Sequence, residues 1–132
     1  MQDNKELIVK AFWCELDRLK DRASITDGGI YVGNPNGLGN SLLELTTEAN
    51  TIYKLKKHWL FKSETVVDRI ETYLYFYVNV GGGFFSTFLY EKDSPELFAE
   101  SVEKLKYYQS IEAEKAAKKE LEKVERLKQL IC

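Results

Sequence analysis

Thr72-Tyr-Leu-Tyr-Phe-Tyr-Val-Asn-Val-Gly-Gly-Gly-Phe-Phe-Ser-Thr-Phe-Leu-Tyr90 decides the fold of this chain. Two runs of aromatic and β-branched residues meet at three glycines, the pattern of a β-hairpin. Eight aromatic residues fall here, out of two Trp, eight Tyr and seven Phe in all. A strand wetted on one face alternates apolar with polar residues, whereas these strands carry bulk on both faces. The glycines allow two registers. A three-residue turn pairs Val80 with Phe84. It puts Leu74, Phe76, Val78, Val80, Phe84, Phe88 and Tyr90 on one face, and Tyr73, Tyr75, Tyr77, Asn79, Phe85, Thr87 and Leu89 on the other. A two-residue turn moves the second strand by one position, which exchanges its faces. The first register separates an apolar face from a tyrosine-rich one and is the expected one. Tyrosine offers a large contact area at low entropy cost with a polar tip, so Tyr73, Tyr75, Tyr77 and Phe85 are candidate partner-binding residues. One of the chain's own helices is expected to cover most of that face.

Working outward, residues 3–23 repeat apolar side chains at helical spacing. Ile8, Phe12, Leu16 and Leu19 form the stripe, and Leu7, Ala11 and Cys14 widen it. Cys14 is expected to be a small buried hydrophobe. Asp27-Gly-Gly breaks the helix, and residues 30–32 form a short strand candidate before a turn-rich loop at 33–40. Residues 41–61 admit a helix with a Ser41/Glu44 capping box, or a hairpin of strands 42–47 and 51–61 turning at 48–50. Thr46-Thr47 and Asn50-Thr51 disfavour the helix, so the hairpin is expected, with Tyr53, Leu55, Trp59 and Phe61 facing the core. Residues 63–71 lead into the aromatic hairpin, as one long strand beginning near Val66.

Asp93-Ser-Pro-Glu96 is a helix start, with a capping side chain, proline in the first turn and an acid after it. No Gly or Pro follows, so a helix of roughly 50 Å reaches the last residues. Phe98, Val102, Leu105 and Tyr108 make its first part amphipathic. Ala113, Ala117, Leu121, Val124 and Leu127 or Lys128 form a thinner seam flanked by the i,i+4 pairs Glu114–Lys118 and Glu122–Arg126. The expected architecture is α+β: an N-terminal helix, an antiparallel β-sheet (a meander containing the aromatic hairpin) and a long C-terminal helix. Residues 1–111 form a compact domain and 112–132 a helical extension of its last helix. That extension is longer than the sheet needs, and Leu121, Val124 and Leu127 are candidates for self-association.

Nineteen basic and twenty-one acidic residues give a net charge of −2. Arginine occurs only at 18, 22, 69 and 126. A balanced chain poor in arginine is not built to neutralise phosphates, which argues against nucleic acid. Cys14 and Cys132 lie at opposite ends with no metal spacing, and no cofactor or metal is implied. Cys132 follows no CaaX pattern and is expected to be a free thiol. The polar N-terminus has no signal-peptide core and no run is long enough for a membrane span, so a cytoplasmic location is expected.

No catalytic constellation stands out. The 31–41 segment has glycines ahead of a candidate helix start, but its spacing matches neither GxxxxGK[ST] nor GxGxxG. Lys54-Leu-Lys-Lys-His-Trp-Leu-Phe-Lys62 is basic and aromatic, which suits base stacking but equally a half-buried strand with lysines on its wet face. His58 is the only histidine; acid–base work through it needs an orienting partner that spacing does not supply. The reading that follows is a non-enzymatic protein-interaction module. It is an inhibitor, immunity or chaperone-like protein that docks on and blocks or escorts a protein partner. Its lysine-heavy usage matches AT-rich genomes such as many phages carry. The alternative is a small-ligand binder, nucleotide-like or apolar, with a pocket against the aromatic sheet and Asn79, Lys54, Lys56, His58 and Trp59 as anchors. An enzyme of unrecognised class is the third.

Overall fold

A Gly-Gly pair after the first helix, the β-branched pairs Thr46-Thr47 and Thr51-Ile52, and a segment free of Gly and Pro after Pro95 dictate the order of elements. The computed structural model describes residues 4–35, 41–57, 62–80 and 83–131. Helix α1 (Asn4–Leu19) ends in a 3-10 turn (Lys20–Arg22) and is followed by strands β1 (Ser24–Thr26), β2 (Gly29–Val32), β3 (Leu43–Lys57), β4 (Ser63–Val80) and β5 (Gly83–Tyr90). Helix α2 (Pro95–Gln129) closes the chain. The strands form one antiparallel meander, ordered β1-β2-β3-β4-β5. The expected α+β architecture is therefore what the chain adopts.

Residues 43–57 form neither a helix nor a hairpin. Strand β3 runs straight through residues 48–50 and pairs with β4 from Leu43↔Val78 to Lys57↔Ser63. Glu48-Ala-Asn50 contains no Gly or Pro to turn the chain. The longer β4 also offers a partner for the whole strand, which outweighs a short local pairing. Of the four residues expected in the core, Tyr53 and Leu55 are exposed, and Trp59 and Phe61 lie outside the described residues. The long strand leading into the aromatic hairpin is present, but β4 begins at Ser63, three residues before the expected start near Val66.

The aromatic hairpin takes the other register. Val80 pairs with Gly83, leaving two residues between the strands, the length favoured for tight hairpins. Leu89, Thr87 and Phe85 therefore share a face with Leu74, Phe76 and Val78, while Tyr90, Phe88, Ser86 and Phe84 join Tyr73, Tyr75, Tyr77 and Asn79. Leu89 is fully buried, whereas Phe84 and Phe88 are exposed. Aliphatic Leu89 packs better into a closed layer with Leu74 than the larger rings would.

Both helices lie on the Leu74/Phe76/Val78 face. Phe12 of α1 meets Phe76 edge-on at 5.2 Å, and Trp13 stacks on Tyr108 of α2 at 6.0 Å and 8°. Phe12, Leu16, Leu43, Leu45, Leu74 and Phe76 are fully buried in one cluster with Phe98 and Leu105 of α2. Burial of each such side chain contributes roughly 1.5–3 kcal/mol. The buried stripe of α1 is Val9, Phe12, Trp13 and Leu16. It is rotated from the expected one, because Trp13 is drawn toward α2. Leu7, Ala11 and Cys14 are left exposed, so Cys14 is not a core residue.

Ser94 stands at the N-cap of α2 with Pro95 in the first turn, but its side chain makes no capping bond. The helix starts beside β4 and β5, where Glu91 N–H donates to the Thr72 carbonyl. By Gln109 it has reached the β1–β2 turn, and that side chain donates to the carbonyls of Thr26 (2.8 Å) and Asp27. Helix α2 thus crosses the sheet from one edge to the other and continues past it.

Candidate functional site

Three surfaces emerge from this arrangement. The first is the sheet face opposite the helices. Tyr73, Tyr75 and Tyr77 stand in a row on β4 and find ring partners on β5. Tyr73 lies 5.0 Å from Tyr90 and 5.7 Å from Phe88, Tyr75 lies 5.1 Å from Phe88, and Tyr77 stacks on Phe84 at 6.1 Å. The helix that was expected to cover this row sits on the other face. Tyr73 and Tyr77 are nonetheless 8% exposed, because neighbouring rings close over them sideways. Tyr73 O–H donates to the Glu48 carboxylate across the strand pair, and that bond raises the phenol's pKa. The Tyr77 hydroxyl is enclosed with no protein partner among the described residues. Phe85, placed with the tyrosines by sequence, faces the helix side. There it lines an open groove of about 310 Å³ with Leu7, Ile8, Ala11 and Val78.

The second surface is a β-arm. Strands β1 and β2 reach only to Thr46 of β3, and β5 reaches only to Tyr73 of β4. Beyond these points β3 and β4 pair with each other alone, for roughly 30 Å at ~3.3 Å per residue. A register shift between Ile52 and Tyr53 leaves Asp68 as the extra residue of a bulge. Tyr53 with its partner Val67, Leu55, and Ile70 fall on one face of the arm, each more than half exposed. The opposite face is charged. Asp68 is held by Arg69 at 2.6 Å and Lys54 at 3.4 Å. Glu71 is held by Lys92 at 2.7 Å and Arg69 at 3.1 Å. The Arg69 guanidinium first, then Lys54, lowers the Asp68 pKa; Lys92 first, then Arg69, lowers that of Glu71.

The third surface is the end of α2, where every residue from 112 to 131 is exposed. Leu121, Val124, Leu127, Leu130 and Ile131 carry its apolar area. Its ion pairs run i,i+3, Glu120–Lys123 and Glu125–Lys128.

The sequence-derived ligand anchors do not converge. Lys54 and Lys56 lie toward the arm tip and Asn79 at the far end of β4, about 40 Å away along the strand. Asn79 donates to the Ser41 carbonyl. His58 and Trp59 lie outside the described residues, as does most of the 33–40 loop. Among the described residues no group of three His, Cys, Asp or Glu side chains is placed to hold a metal ion. No helix there is long and apolar enough to cross a membrane. The arm's apolar face escaped sequence reasoning because Tyr53-Lys-Leu-Lys alternation marks a two-faced strand without saying whether the apolar face is covered. The usable signal was the length of β4, which exceeds that of every neighbour. No known protein family, curated protein or solved structure matches the chain.

Proposed function

We propose that the chain is a protein-interaction module that docks on a protein partner and blocks or escorts it, with no chemistry of its own. The supporting observation is the apolar area carried on two elements that leave the core. Tyr53, Leu55, Val67 and Ile70 line the arm, and Leu121, Val124 and Leu127 line the end of α2. A lone two-stranded ribbon and a lone helix are marginal in water, and contiguous apolar area of this kind marks contact sites. The self-packed tyrosine row offers a rigid third surface between them, whose rings need little further ordering on contact. Photo-crosslinking residues introduced at Val67, Tyr75 and Leu121, in the cells that make the protein, test this reading. Adducts of one discrete mass are expected at these positions and none at Asp21, exposed in the 3-10 turn after α1. Absence of a discrete adduct at all three overturns it.

A further inference from the structure

The free strand edges of this sheet are not treated alike. Strand β1 is only three residues long. The free edge of β3 beyond Thr46 carries Glu48, Lys54, Lys56 and Lys57, and that of β4 before Tyr73 carries Glu64, Asp68, Arg69 and Glu71. Short strands and charges are the usual guards against pairing with another chain. Strand β5, Gly-Phe-Phe-Ser-Thr-Phe-Leu-Tyr, is an outer strand with neither a charge nor a proline, and Phe84, Phe85 and Phe88 on it are 66%, 55% and 49% exposed. Such a strand, left bare, is an aggregation hazard.

The backbone of β5 is set for pairing. Glu91 N–H donates to the Thr72 carbonyl, so by alternation Leu89, Thr87 and Phe85 bond to β4. The N–H and C=O groups of Phe84, Ser86 and Phe88 point away from the sheet. A second, independent feature flanks this edge on the helix side. Asn4, Leu7, Ala11 and Cys14 form an uncharged stripe on α1 with the 3-4-3 spacing of a helix–helix seam. Leu7 is 44% exposed, Ala11 and Cys14 are exposed, and the groove places Leu7 and Ala11 beside Phe85.

We propose that β5 pairs antiparallel with β5 of a second copy about a two-fold axis at Ser86, making a ten-stranded sheet. Phe84 then faces Phe88 of the other copy twice on the tyrosine side, and three residue pairs exchange six backbone hydrogen bonds. The same axis fits α1. Thr87 pairs with Phe76, which touches Phe12, so the middle of β5 lies level with the middle of α1. Two α1 helices therefore meet antiparallel near Ala11, a small residue that permits close approach, with Leu7 toward Cys14 of the other copy. No charge in β5 opposes its own image. At ~200 Å² a ring, the exposed parts of the three phenylalanines supply roughly 700 Å² over two copies. The α1 flanks and the strand edges bring this toward the ~1,200 Å² where specific interfaces begin. A dimer dissociating at about 1–100 µM is the expected consequence. This interface is separate from the arm and the end of α2 but borders Tyr75 through Phe88, so a Tyr75 adduct of twice the chain's mass reports the dimer, while adducts at Val67 and Leu121 report the partner.

The test is sedimentation of the full chain from about 1 µM to 1 mM, beside Phe88→Lys, Ser86→Lys and a chain ending at Ile111. The intact and shortened chains are expected to dimerise alike, and the lysine variants to weaken association at least ~10-fold. Ser86→Lys changes an already exposed polar side chain, so it keeps the test sound if Phe88→Lys fails to fold. Ser86→Cys with Cys14→Ser and Cys132→Ser is expected to give a disulfide-linked dimer, since paired residues here lie ~5.5 Å apart at Cα. A wild-type monomer over the whole range overturns the proposal and leaves the edge for a strand of another protein. A dimer that survives both lysines, or vanishes on removal of residues 112–132, also overturns it.

Discussion

Gly29 has φ of +150°, and a β-carbon built there lies 1.8 Å from the Leu45 carbonyl oxygen. The Asp27-Gly-Gly signal was legible as a helix breaker, but why the second glycine is needed depends on β3 passing behind it, which no local reading supplies. Backbone strain alone costs about 1–3 kcal/mol at such a position, and the clash with Leu45 adds to it. Gly29→Ala is therefore expected to lower the denaturation midpoint severely, while Gly28→Ala, whose β-carbon meets only the Thr26 hydroxyl at 3.9 Å, is expected to change it little. Phe76 sits at the centre of the helix–sheet contact, fully buried against Phe12 and Trp13. Phe76→Ala should destabilise by about 3–5 kcal/mol in urea unfolding. Tyr75→Phe on the open face is expected to leave stability nearly unchanged, because that side chain is half-exposed and only its ring is in contact.

At the scale of elements, the arm's stability is tied to pH through Asp68 and Glu71. Both are depressed acids, so the stabilisation is present at neutral pH and lost as pH falls through their lowered pKa values. Thermal melts are expected to soften from about pH 4 downward. Asp68→Asn with Glu71→Gln should flatten that dependence, and added salt should reduce it, since the cluster is exposed. An unchanged pH profile in the double variant would separate the cluster from arm stability. The arm is also where sequence reading was blind. Its two strands were legible as the 51–61 segment and the 63–71 lead into the hairpin, but their shared length was not, because pairing partners lie far apart along the chain. The aromatic hairpin was recognised while its register was mistaken. One glycine more or less in the turn changes nothing in local propensity, yet it decides whether Phe88 or Leu89 enters the core. The α1 stripe was misread by a smaller angle: the sequence offers a wider apolar arc than one sheet covers, and only the position of α2 selects Val9 and Trp13 over Ala11 and Cys14.

For the whole molecule, one helical layer on one sheet face puts the buried cluster, among the described residues, between Val9 and Leu105, with its partly buried fringe reaching Tyr108. A chain ending at Ile111 is expected to unfold cooperatively with a free energy within about 0.5 kcal/mol of the intact chain's, by denaturant titration. A larger loss would mean that the end of α2 returns to the core. Strand β4 belongs to the core and to the arm at once. Eighteen residues pass from Ser63 to Val80 without a glycine or proline, roughly 60 Å of continuous backbone at ~3.3 Å per residue. The tyrosine row lies at one end of it and the arm tip at the other. Such a strand couples its two ends mechanically, and the bulge at Asp68 is where its unsupported half departs from regular pairing. A load on the tip bends the arm there first, and whatever torque the bulge does not absorb turns the Tyr73–Tyr77 row with it.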